Sequence, residues 1–356
     1  MTSTLSSTSA QPGKSARPLR VGFISLTDSA PLVVAQELGY FQRHGVRVEL
    51  KREIGWATIR EKIIYGELDL THAPAPMLWS TQLGLGCRQC DVLCSFVLNL
   101  HGNAITLSKS LWDAGVRDPA SLREYAKGRP AQSPLTLGAV FVYSSHNLLL
   151  RDWCRGAGLD PDRDMRIVVV PPAQMFRNLA AGTIDGYCVG EPWGSLAVRE
   201  GAGWCPTWSA AQQPGHIEKV IMLTQRFAET RAAEHAAFLR ALAEAACWCD
   251  EPQNRERLAD ILSDQRYLNL PARVIAPALS GHFDCGHGRV ENISDFILFH
   301  HNEANVPSVE KALGIQRALA AAHLLPATAA ADTDLPRRLF REDLHREILK
   351  TTQLTA

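Results

Sequence analysis

Four polar side chains in this 356-residue sequence, Trp56, Asn103, His146 and Lys219, fall near the ends of expected strands and together suit a small planar anion. A lysine supplies positive charge, histidine and asparagine donate hydrogen bonds, and tryptophan offers a ring face and an N–H donor. Each also has an ordinary reading. Lys219 is then a solvated charge before a strand, Trp56 part of a core, His146 a helix cap, and Asn103, after Gly102, a turn residue. Asp69, Asp185 and Glu191 read as structural, fixing turns and helix starts.

The elements that must position these residues are visible in residues 167–193, IVVVPPAQMFRNLAAGTIDGYCVGEPW. A β-branched run at 167–170 predicts a buried parallel strand, Pro171 and Pro172 end it, and 174–181 has helical spacing up to Gly182. A short strand follows at 187–189, and Glu191, Pro192 and Trp193 open the next helix. The unit has an echo upstream, because Gly66, Asp69 and Pro76 repeat the spacing of Gly182, Asp185 and Pro192. Residues 19–26 form a strand followed by Thr27, Asp28, Ser29 and a helix at 31–39. Residues 135–140 form another, followed by Tyr143, Ser144, Ser145 and a helix at 146–155. Two copies of one strand–turn–helix design imply two α/β lobes facing each other. Parallel strands that end in polar turns and helix starts leave backbone N–H groups free for an anion, and ligands bind at the carboxyl ends of such strands.

Composition narrows the function further. The chain is 46% hydrophobic and 21% charged, enough for large cores, and its 37 basic and 37 acidic residues leave no basic block for direct nucleic-acid binding. Nine scattered cysteines argue for reduced thiols rather than a disulfide framework. The polar lead at 1–18 reads as disordered, the apolar run at 21–26 is too short for a secretory signal, and no run reaches a membrane span. Cys87, Cys90, Cys94 and His101 lack a second metal-binding pair, and Cys188 reads as a buried apolar residue rather than a nucleophile. No metal, cofactor or membrane partner is expected. Residues 204–215 read as a loop, 220–223 as a strand returning to the first lobe, 229–250 as a long Ala-rich helix, and 337–349 as a terminal helix.

GFISLTDSAP at 22–31, VPPAQM at 170–175 and CVGEPW at 188–193, with Trp153 and the Glu218-Lys219 pair, resemble the nitrate/bicarbonate binding proteins of ABC uptake systems over residues 19–292. The resemblance implies a two-lobe, periplasmic-binding-protein-like (type II) clamp that binds an anion and is not an enzyme. It implies Trp56, Asn103, His146 and Lys219 as nitrate ligands, with Asn103 in place of the family's usual glutamine and Lys219 weighing against bicarbonate. Lobe 1 is expected at 19–107 and 224–335, lobe 2 at 108–223, and a terminal helix and tail at 336–356. Because no export signal is read, the resemblance implies the cytoplasmic nitrate/nitrite sensor branch, regulating nitrate assimilation. Such a sensor sequesters an RNA-binding antiterminator response regulator until nitrate or nitrite binds. The alternatives are the binding component of a nitrate ABC transporter and an enzyme on the same clamp.

Overall fold

The computed structural model describes residues 17–350, so the polar lead lies outside them up to residue 16. The strands run β1 (Leu19–Ile24), β2 (Val48–Glu53), β3 (Leu70–Pro74), β4 (Val92–His101), β5 (Asn103–Ser108), β6 (Leu135–Ala139) and β7 (Met165–Val169). They continue as β8 (Gly186–Gly190), β9 (Gly203–Trp208), β10 (Ile217–Thr224), β11 (His282–Gly286), β12 (Arg289–Asn292) and β13 (Ile297–Leu298). One sheet has the order β13-β4-β10-β3-β1-β2, the other β7-β6-β8-β5-β9, and β11 and β12 form a separate hairpin. Helices cover the sheets, as the α/β pattern requires.

The duplication is physical. In the first sheet β1 pairs in parallel with β2 and β3, with Leu19 opposite Val48 and Val21 opposite Leu70. In the second, β6 does the same with β7 and β8, with Leu135 opposite Met165 and Leu137 opposite Gly186. The repeated aspartates explain why their spacing recurs. Asp69 accepts a hydrogen bond from Arg20 N at 2.9 Å and donates its own N–H to Arg20 O. Asp185 makes the same pair of bonds with Thr136, accepting from its N at 2.8 Å. Each carboxylate thus fixes the entry of one strand to its neighbour. A crossing strand completes each sheet in antiparallel pairing, with Lys219 of β10 opposite Pro74 and Asn103 of β5 opposite Gly190. Lys219 and Asn103 are therefore equivalent positions of the two halves.

Several expectations shift. The chain passes from the first sheet to the second at His101 and Gly102, whose φ angles of +61° and +94° break what would otherwise be one continuous strand. It returns after Gly215. Sheet pairing therefore joins Asn103–Leu107, expected in lobe 1, to the second sheet, and Ile217–Leu223, expected in lobe 2, to the first. The expected loop at 204–215 is instead β9 and a short turn of helix, Ser209–Gln212, because Ala104 and Ile105 of β5 supply pairing partners to Trp208 and Thr207. β7 was expected to be buried, yet it lies at a sheet edge and Val169 is 55% exposed. The expected terminal helix begins at Glu342, after a shorter Leu335–Leu339 helix and an interruption at Phe340, which bridges Cys94. It packs on the first lobe through His345 Nδ1 and Ser95 O, 2.9 Å apart.

The Ala-rich helix Ala232–Asp250 closes the outer face of the first lobe. Its small residues let it approach the Ala30–Glu37 helix, and its Phe238 stacks on Phe41 with ring centroids 5.3 Å apart.

Candidate functional site

The four residues expected to hold an anion meet between the lobes. Trp56 opens the Trp56–Ile64 helix, Lys219 lies on β10, Asn103 begins β5, and His146 is the second residue of the Ser145–Gly156 helix. The local sequence accounts for the His146 position. Ser144 is extended and its hydroxyl accepts from Asn147 N at 3.2 Å, so the helix must begin at Ser145. All four side chains are buried, with exposures of 0–1%.

Lys219 Nζ is the centre of the cluster. It lies 2.7 Å from Asp28 Oδ2, 2.5 Å from Glu218 Oε1, and 3.5 Å from His146 Nε2 of the opposite lobe. Its ammonium sits 5.5 Å from the centroid of the Trp56 ring, a cation–π contact. Glu218 reaches across the cleft, with His146 Nε2 at 3.3 Å from Oε1 and Asn103 Nδ2 donating to Oε2 at 2.6 Å. His216 Nε2 is 3.3 Å from the same Oε2. Asp28 in turn is held by His72 Nε2 at 2.8 Å, and His72 packs edge-on against Trp56. Gly190 keeps the lobes close, because a Cβ there would meet Asp28 Oδ2 at 3.1 Å. Thr27 N also donates across the cleft to Glu191 O at 2.8 Å.

The charges are unequal. Burial would lower the Lys219 pKa, but Asp28 and Glu218 outweigh it and raise it above its ordinary value. Burial opposes ionisation of Asp28, yet Lys219 and His72 hold its pKa below the usual carboxylate value. Burial likewise opposes ionised Glu218, but His146, Lys219 and His216 hold it well below. His146 is pushed down to about 4 by burial, against the pull of Glu218, so at neutral pH it is an uncharged ring. One cation thus faces two carboxylates. Trp56 Nε1, Asn103 Oδ1, Ser145 Oγ and His146 Nδ1 are buried without a hydrogen-bond partner among the described residues. Unpaired buried polar atoms are costly, and they mark this cluster as a place built to receive a polar molecule.

Asp28, His72, His216 and Glu218 were not anticipated as parts of the site. Glu218 beside Lys219 was a usable signal, since adjacent charges at the start of an apolar strand require an explanation for whichever faces inward. Burial pushes the Cys188 thiol well above its ordinary pKa inside β8, which removes the favoured nucleophile of an enzyme. No group of three or more His, Cys, Asp or Glu residues able to hold a metal occurs among the described residues, and none of their helices is long and apolar enough to cross a membrane.

Glu191 flanks the cluster and makes its own prediction. Its Oε2 accepts from Ser195 N at 3.0 Å while its buried Oε1 has no partner among the described residues. Burial raises its pKa from 4.5 to about 7, with Ser195 pulling the other way. Above pH 4.5 the unfolded chain loses this proton while the folded chain keeps it until about 7. The stability it contributes is therefore lost as pH rises. Glu191→Gln should stabilise the protein at pH 8 by about 2 kcal/mol, after allowance for a poorly paired amide, and leave pH 5 nearly unchanged. Urea unfolding at the two pH values measures this.

A family model described as the NMT1-like family matches residues 13–263. The chain is 38% identical over 305 residues to the nitrate import ATP-binding protein NrtC of Synechocystis sp., covering 85% of this chain and 45% of that protein. The chain thus spans less than half of that relative. It is 30% identical to the nitrate/nitrite binding protein NrtA of Synechococcus elongatus, covering 97% of this chain and 80% of the relative. The crystal structure of the periplasmic nitrate-binding protein NrtA from Synechocystis PCC 6803 superposes with a TM-score of 0.90 at 27% identity, covering 95% of this chain and 89% of that one. The two-lobe clamp is accordingly the periplasmic-binding-protein fold, and the relatives are binding and import proteins rather than metabolic enzymes. The expected cytoplasmic location is corrected by the same comparison, because the matching structure is that of a periplasmic protein.

Proposed function

The chain belongs to the NMT1-like family, and from that footing we propose that it is a nitrate- or nitrite-binding clamp serving as the substrate-binding part of an import system. The observation that carries this reading is the buried ammonium of Lys219 in reach of His146 from the opposite lobe, with Trp56 against it and Asn103 nearby. A planar anion placed there takes charge-assisted hydrogen bonds from Lys219 and hydrogen bonds from His146, Asn103 and the free Trp56 N–H. Donors from both lobes tie anion binding to the closed arrangement, in which His146 and Asn103 lie close to Lys219. The relatives' roles in nitrate import and nitrate/nitrite binding agree with this chemistry. The regulatory role, release of an antiterminator response regulator on closure, was tied to a cytoplasmic location and is set aside with it.

Isothermal titration of the full chain with nitrate, nitrite and bicarbonate tests the reading. Nitrate or nitrite should bind with a dissociation constant of about 1 μM, corresponding to about −8 kcal/mol, with bicarbonate at least tenfold weaker. Silence toward nitrate and nitrite would overturn it.

A further inference from the structure

Glu218 occupies the position that the anion needs. Its two carboxylate oxygens already take Lys219 Nζ at 2.5 Å, His146 Nε2 at 3.3 Å and Asn103 Nδ2 at 2.6 Å. These are three of the four residues assigned to the anion, and they come from both lobes. A carboxylate presents the same planar pair of oxygens as nitrate or nitrite. The side chain is wholly buried, so the contacts are not a surface accident. Adding a second anion beside ionised Glu218 and Asp28 would place three negative charges around one ammonium, which a buried site does not tolerate without compensation.

We propose that Glu218 is an internal stand-in for the ligand, and that the anion displaces it only when Glu218 takes up a proton, so that anion and proton enter together. This rests on the nitrate or nitrite reading above. The proton comes from water or buffer and forms an O–H bond on one Glu218 oxygen. No bond of the anion is broken. The neutral carboxylic acid then ceases to compete for Lys219, His146 and Asn103, and its O–H becomes one more donor for the bound anion. The groups facing Glu218 support the assignment. Its own strand and the approach to it present Lys219 and His216, β5 presents Asn103, and the Ser145–Gly156 helix presents His146. Asp28 and His72 lie behind Lys219. In the anion-free site Lys219, His146 and His216 favour the ionised carboxylate, so the proton has to be gained on binding.

Titrations of the full chain with nitrate in two buffers of different protonation enthalpy at pH 7 count the protons. About one proton should be taken up per anion, and the dissociation constant should rise about tenfold per pH unit across the range where uptake occurs. Glu218→Gln should bind nitrate at least tenfold more tightly at pH 7, with no proton uptake and no pH slope. Nitrate binding by the wild type without proton uptake overturns the inference while leaving the function intact. So does a folded Glu218→Gln variant that binds no tighter, or one that still takes up a proton, which would place the proton on His146. A wild type silent to nitrate and nitrite overturns both function and inference. Should Glu218→Gln fail to fold, the proton count and pH slope of the wild type decide.

Discussion

Lys219→Met is expected to weaken nitrate binding by more than a hundredfold, the equivalent of about 3 kcal/mol or more. The reason lies in how the charge is placed. Lys219 is the cation in contact with Asp28 and Glu218, both essentially inaccessible, and no other lysine or arginine among the described residues bonds to either carboxylate. Methionine preserves the apolar stem and its packing against Trp56 but removes the attraction for any anion. It also leaves Asp28 and Glu218 facing each other without a counter-charge. Breaking a buried ion pair by removing one partner costs about 3–5 kcal/mol, partly relieved here as a carboxylate takes up a proton. The variant should therefore unfold at lower urea concentration as well. Titration with nitrate under conditions where circular dichroism shows the variant folded separates the two effects. Affinity within tenfold of the wild type would contradict the placement of the anion.

The second large effect is on stability against pH, and it belongs to His146. When unfolded, its ring takes up a proton near the ordinary value of 6.5, whereas in the folded protein burial delays protonation to about 4. Between those values the unfolded chain holds more protons, so stability falls as pH drops through the window. The loss from this residue is about 3 kcal/mol. His235, hydrogen-bonded to Ser95 at 2.7 Å and likewise pushed down to about 4 by burial, acts in the same direction. Glu191 acts in the opposite one. The clean measurement is the difference between proteins: His146→Gln should lose about 3 kcal/mol less than the wild type between pH 7 and pH 4. Parallel stability curves for the two would contradict the buried, neutral state of this ring.

The repeat was legible because it encodes a hydrogen-bond pattern. Asp69 and Asp185 each clamp a strand entry, the carboxylate accepting from a backbone N–H and the aspartate's own N–H donating to the same residue's carbonyl. Trp56, Asn103, His146 and Lys219 were legible as polar residues at strand ends and helix starts, and the folded chain brings them together. What escaped was the charge balance among them. Asp28 reads in sequence as an ordinary turn residue, and nothing local says that Lys219 of a distant strand will be laid against it. Glu218 and Lys219 are neighbours in sequence, and their heads meet where the pairing of β10 with β4 is irregular, with a shift between Ile217 and Lys219. Alternation alone would send them to opposite faces. The edge position of β7 and the strand at β9 were hidden for the same reason, since both depend on which strand lies alongside. The location was misjudged from the start of the chain, and comparison with a periplasmic relative corrected it.

The most direct test of the account is a crystal structure of the full chain grown with nitrate. The anion should lie between the lobes, within hydrogen-bond distance of Lys219 Nζ and His146 Nε2, with the Trp56 ring beside it and Glu218 turned from its donors or sharing a proton with the anion. Electron density for nitrate elsewhere, with Glu218 still bonded to Lys219, His146 and Asn103, would contradict the assignment of this cleft.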